Sequence, residues 1–351
     1  MWNDFLSSWW KLRASIAIAT LAAAIAGGWS AAPSGDVAED AVVAPPTSGA
    51  SSEMAEGAVV TGRPHPSARK AAVEPSAIHS PPAKGDAGAV FKGLGAWIDL
   101  YDFGLDPRRT MRTLAANGVR TLYMQTGHTY TREAVDDRVG RWLVAAHASD
   151  VKVVGWYLPA YERWRWDAER ITRIKRYSYR GHRFDGIGID IENRKAVPRA
   201  RVWSKRVAAN FRYVRSKVGD EYPLAAIPPT PLQMRLIPSH WAGFPWKSLA
   251  HDSDAFLLMS YWSDRRGCPK IRRHCAYEFT RDNVLLTRRL TGDPDAVVHI
   301  IGGVGDRIDE RQLWSFARAA LDAGANGASI YDVATTRSAW WPILRNLRAL
   351  D

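Results

Sequence analysis

Eight short apolar segments recur between residues 91 and 351, separated by stretches of helical period. They predict an α/β chain whose parallel strands close into a (β/α)8 barrel, the TIM barrel architecture. The segments are apolar on both faces, as parallel strands covered by helices must be, whereas an antiparallel sheet with one wet face would alternate. The intervals between them carry helix start and stop residues.

Two segments precede the barrel. Lys11 and Arg13 lead into an apolar run from Ala14 to Ala26 that closes on Ala24, Ile25 and Ala26, the layout of a secretory signal over residues 1–29. The run falls short of the roughly 20 residues a membrane span needs, which favours a cleaved signal. The alternative is an uncleaved anchor with Trp9, Trp10 and Trp29 at the interfaces, and only that alternative makes a membrane a partner. Residues 30–90 turn to Ala, Pro, Ser, Gly and Val without a sustained apolar period, so a disordered linker is expected there. A barrel at 91–351, secreted or held at the cell envelope, follows from this order.

Within the barrel the expected strands are Gly93 to Asp102, Arg120 to Gly127, Lys152 to Tyr161, Asp185 to Glu192, Leu224 to Pro231, Asp254 to Trp262, Val297 to Gly305 and Gly327 to Ala334. Asp106 and Pro107 supply an N-cap and first helical residue after the first strand, and Gly118 stops that helix. Leu313, Phe316, Ala317, Ala320 and Leu321 repeat at helical spacing before Gly324. The fifth unit, residues 231–252, is rich in proline and glycine and is expected to form a long loop. A doubly wound open sheet is the competing architecture, but no G-x-G-x-x-G turn follows the first strand.

Composition narrows the partners. The formal net charge of +12 and a pI near 9.8 suit contact with polyanions such as an acidic wall polymer. Export makes nucleic acid the weakest of these, and a solvated basic surface without a specific partner is the plain alternative. Cys268 and Cys275 flank a short loop and are expected to pair as a disulfide in an exported protein. Metal-ligand spacing and phosphate loops are absent from the sequence, so no cofactor is expected, and no G-x-S-x-G supports a serine triad.

In a parallel barrel the chemistry belongs to the carboxyl ends of the strands. Those ends hold Asp99 and Tyr101, Gln125, Trp156, Tyr157 and Tyr161, Asp190 and Glu192, Tyr261 and Trp262, and Tyr331 and Asp332. Strand alternation sets Gly188, Asp190 and Glu192 on one face and Ile187, Ile189 and Ile191 on the other. The isoleucines suit the helical layer, which turns the carboxylates inward. Two acids in an apolar lumen repel each other, so one holds its proton near neutral pH, as a general acid requires. Trp156 and Trp262 are the tryptophans expected to stack on sugar rings, the others being taken as packing residues.

The segment "DGIGIDIE" resembles the fourth-strand signature D-G-x-D-x-D-x-E of the family 18 glycoside hydrolases, the chitinases and their relatives. "LLMSYW" resembles the sixth-strand M-x-Y-D of the same family. The resemblance implies a glycoside hydrolase acting on a poly- or oligosaccharide. Glu192 would be the acid that protonates the glycosidic oxygen, Asp190 would orient an attacking N-acetyl group, and Tyr261 would hold that group. Asp185 matches the first Asp of the pattern. Gly188 stands where the family has its middle Asp, Trp262 where it has the Asp after the Tyr, and "VVGWYLPAY" where it has S-x-G-G. A two-carboxylate mechanism would instead need a partner acid, for which Asp99, Asp264 and Asp332 are candidates. The alternative function is a catalytically weak, glycan-binding surface module on the same barrel.

Overall fold

The computed structural model describes residues 87–264 and 275–350. The expected signal segment, nearly all of the linker and Cys268 lie outside the described residues. The strands are β1 (Gly93–Ile98), β2 (Thr121–His128), β3 (Lys152–Leu158), β4 (Gly186–Asp190), β5 (Leu224–Ile227), β6 (Ala255–Met259), β7 (Val298–Val304) and β8 (Gly327–Tyr331). They pair in parallel in chain order and close through β8 onto β1, so the eight-stranded barrel is the observed architecture.

Nine α-helices are described: α1 (Pro107–Ala116), α2 (Val139–His147), α3 (Trp164–Arg176), α4 (Ala200–Val218), α5 (Pro231–Leu236), α6 (Trp246–Asp252), α7 (Cys275–Thr291), α8 (Glu310–Asp322) and α9 (Trp341–Leu344). Local chemistry sets several ends. The Asp106 carboxylate accepts from the Arg109 amide at 2.6 Å with Pro107 at the first helical position, and Gly118 follows α1 at φ +80°. Asp309 and Gln312 form a reciprocal capping box at the start of α8.

Residues 231–252 differ from the expected loop, because α5 and α6 form there. Thr230 accepts from the Gln233 amide ahead of Pro231, a start signal as good as that of α1. The ring centroids of Trp203, Trp241, Phe244, Trp246 and Phe256 then follow one another at 4.7 to 6.4 Å, and this aromatic packing orders a segment whose prolines and glycines argued for a loop.

The outward strand faces, including Ile187, Ile189 and Ile191, are fully buried against the helices. The lumen is packed rather than open. Trp97 stacks on Tyr123 at 4.5 Å and donates its indole N–H to Ser329 Oγ at 2.7 Å, and His299 Nε2 lies 2.8 Å from the same hydroxyl. Burial lowers the His299 pKa to about 4, so the imidazole is neutral. A Cβ on Gly95 would sit 2.6 Å from the Tyr123 ring and one on Gly327 2.3 Å from His299 Nδ1. Those two glycines give the aromatic layer its room.

Candidate active site

Asp190 ends β4 and Glu192 follows it on the strand-to-α4 connection. The chain there is tied down from several sides. The Ile191 amide donates to the Ile227 carbonyl at 2.9 Å, Tyr161 Oη to the Asp190 carbonyl at 3.1 Å and Trp203 Nε1 to the Asn193 carbonyl at 2.9 Å. Arg194 donates to the carbonyls of His240 and Pro198. The backbone carrying both acids is therefore fixed by side chains from the loop after β3 and from α4, and by Arg194 of the connection itself, which reaches a carbonyl of the loop before α6. Tyr161 stands at the strand end where the sequence reading looked, whereas Arg194 and Trp203 had no sequence signal for this work, since their partners are carbonyls, which any residue supplies.

The Asp190 carboxyl is buried, and its Oδ1 has no hydrogen-bond partner. Burial, and then the charge of Glu192, hold its pKa well above the usual carboxylate range. Glu192 itself is half-buried. Asp190 is thus the more desolvated member of the pair and the one whose protonated form is favoured.

Across the mouth, Asp99 Oδ1 accepts from the Tyr101 amide at 2.8 Å and its Oδ2 from Tyr331 Oη at 3.0 Å. Asp332 Oδ1 accepts from the amide and the hydroxyl of Thr335, each at 3.0 Å. Asp102, which the sequence reading did not single out, joins them. Carboxylate oxygens of Asp99, Asp102 and Asp332 lie within 4.8 Å of one another, and all three residues are buried. Tyr, Thr and amide donors thereby hold these carboxyls in place on the β1 and β8 side. Tyr261 stands edge-on to Tyr331 at 5.9 Å, which puts it at the same rim. Tyr101 is 45% exposed there, and Gln125 is buried with its Oε1 accepting from the Leu100 amide at 3.2 Å.

Trp156 faces the lumen 6.1 Å from Trp97, and its backbone is in register with Gly188. A Cβ on Gly188 would lie 3.2 Å from the Trp156 Cβ and 2.8 Å from Ile227 Cδ1. The volume in which the resembled signature carries its middle Asp is here occupied by Trp156 and Ile227.

Two expected sugar contacts are corrected. Trp262 is fully buried, packed at 4.9 Å against Phe316 of α8 and close to Gly302 and Gly303, so it faces the helix layer. Tyr157 also faces the helices, where its hydroxyl accepts from Arg170 Nε at 2.8 Å and its pKa is pushed up to about 12, chiefly by burial. Arg170 in turn donates to the carbonyls of Thr131, Arg132 and Glu133, so Tyr157 helps to anchor the loop after β2. The side chain of Asp264, and with it a possible partner acid, lies outside the described residues, as does the expected bridge at Cys268.

No described protein family and no curated protein matches the sequence. Solved structures do match. A class V chitinase mutant from Cycas revoluta in complex with (GlcNAc)3 aligns at TM-score 0.51 and 9% identity, over 72% of this chain and 98% of that one. The chain has the fold of the chitinases. The PgaB (BpsB) glycoside hydrolase domain from Bordetella bronchiseptica aligns at TM-score 0.53 and 15% identity, over 74% of this chain and 99% of that one. The Bacillus cereus spore cortex-lytic enzyme SleL aligns at TM-score 0.55 and 12% identity, covering 73% of this chain and 74% of that one. At such identities the likeness is one of fold, and this chain is a divergent chitinase-like TIM barrel.

Proposed function

We propose that the protein is an exported glycoside hydrolase acting on a cell-wall or extracellular polysaccharide, with Glu192 as general acid and Asp190 as its partner. The observation that carries this reading is the Asp190 and Glu192 pair at the carboxyl end of β4, one acid desolvated, with its protonated form favoured, and the other at the rim. The half-buried Glu192 reaches solvent and can meet a glycosidic oxygen, while the buried Asp190 keeps a proton available to the pair. The proton of the pair passes from Asp190 to Glu192 and from it to the glycosidic oxygen as the bond to the leaving sugar breaks, and the water that attacks the anomeric carbon returns a proton to the pair. Tyr261 and Tyr331, on the opposite rim, would bound the sugar, with the carboxyls at 99, 102 and 332 as hydrogen-bonding partners on that side. Solved neighbours that include a chitinase with a bound amino-sugar oligomer and a cortex-lytic enzyme support a polysaccharide substrate.

The second reading, a glycan-binding module, is favoured by one observation: Trp156 and Ile227 fill the space beside Gly188 where the resembled family carries a further acid. One experiment separates the two readings. Product release from chitin oligomers, peptidoglycan and amino-sugar exopolymers is measured for the full chain and for Glu192→Gln. Cleavage that falls by about 10²- to 10⁴-fold in the variant supports the hydrolase. Equal cleavage by both proteins removes Glu192 from the acid's role, and binding without cleavage by either supports the module.

A further inference from the structure

On the flank of the barrel, α7, α8 and the last turn of the chain enclose a groove of about 720 Å³. This lies within the about 300–1,000 Å³ of ordinary ligand clefts. Trp314, Arg318 and Leu321 share the outer face of α8 by their spacing, and Trp314 and Leu321 are 51% and 36% exposed. Opposite them Tyr277 of α7 donates its hydroxyl to Asp322 Oδ2 at 2.8 Å, and Arg318 Nε donates to the same oxygen at 3.3 Å. The phenol ring and the carboxylate are thus held in place beside an open indole.

The chemistry of this groove fits a sugar better than a protein. A flat indole offers an apolar surface to the C–H face of a pyranose, and a fixed carboxylate, guanidinium and the amide of Asn346 offer hydrogen bonds to its hydroxyls. A stable protein interface needs about 20–30 residues a side around an apolar centre. Eight residues line the groove, and of the six exposed large hydrophobic residues described only Trp314 and Leu321 belong to it. We propose that this groove is a second saccharide-binding site, which seats an uncharged or N-acetylated strand of the polymer on the barrel flank. The choice of polymer rests on the glycosidase reading; the groove itself does not.

The test uses the full chain with Trp314→Ala and Trp314→Tyr, insoluble chitin and peptidoglycan sacculi as probes, and soluble chitin oligomers for hydrolysis. Trp314 is half-exposed, so its loss leaves the barrel core intact, and thermal unfolding verifies this. Retention on the insoluble polymer is expected to weaken about 3- to 10-fold in Trp314→Ala, with Trp314→Tyr near wild type. Hydrolysis of the soluble oligomers stays unchanged in both. Wild-type retention by Trp314→Ala on the polymer that wild type binds overturns the proposal, as does wild-type protein retained on neither polymer. Retention that depends on Trp314 in a protein that cleaves nothing leaves the groove standing and removes the hydrolase reading.

Discussion

Asp190 costs the folded protein stability in order to keep a proton at the mouth. Its carboxyl is buried with Oδ1 unpartnered, and burial followed by the Glu192 charge raises its folded pKa well above the unfolded value. Below the unfolded value, near pH 3.9, both states are protonated and there is no penalty. As pH rises the unfolded chain ionises while the folded carboxyl holds its proton, so the penalty grows until pH passes the folded pKa. Asp190→Asn removes that cost. The variant is expected to unfold at higher temperature than wild type at pH 7.5, by on the order of 1 kcal/mol, with the gain vanishing near pH 3. Its hydrolysis falls. Thermal unfolding from pH 3 to 8 measures this, and a gain independent of pH would mean that Asp190 is not the desolvated acid described.

At the scale of the element, the two ends of β4 do separate work. Asp185, the first Asp of the signature, lies just before the strand at the end of the barrel away from the mouth. Its Oδ2 accepts from the Val153 amide at 2.8 Å and faces His147 Nε2 at 3.0 Å, while His147 Nδ1 lies 2.9 Å from His182 Nδ1. That clamp ties α2, β3 and β4 together. Asp185→Ala is expected to cost about 1–3 kcal/mol, read as a lowered midpoint of thermal unfolding, while activity per folded molecule is kept. Full stability with lost activity would instead place Asp185 in the chemistry. The β4 signature was legible because a period of two fixes which residues share a face. Trp262 was not, since β6 ends at Met259 and the chain passes into a 3-10 turn where alternation no longer holds. Tyr157 follows Trp156 on one strand, so only one of them can face the lumen, and no feature of the sequence says which. Asp102 was passed over because the expected first strand ran through it, whereas the strand ends at Ile98 and a 3-10 turn brings Asp102 back toward Asp99.

Over the described residues the exposed basic side chains lie both on the helices and on the loops at the mouth. The mouth gathers the carboxyls of Asp99, Asp102, Asp190, Glu192 and Asp332, and the loops after β2, β3, β4 and β8 expose Arg132, Arg163, Lys195, Arg199 and Arg337 beside them, while the helical ring exposes Arg108, Arg109 and Arg112 on α1 and Arg201, Lys205, Arg212 and Lys217 on α4. Barrel closure was legible from eight apolar segments, but this distribution was not, because it depends on which way each helix and loop turns its basic residues. An acidic wall polymer would meet these basic residues. Exposed charges are screened beyond about 10 Å at 0.1 M salt and about 3 Å at 1 M. Retention of the full chain on an anionic polymer is thus expected to fall severalfold across that range. Hydrolysis of an uncharged chitin oligomer, which relies on contacts at the mouth, is expected to change little. Retention indifferent to salt, or absent at low salt, would reduce these basic residues to a solvated surface.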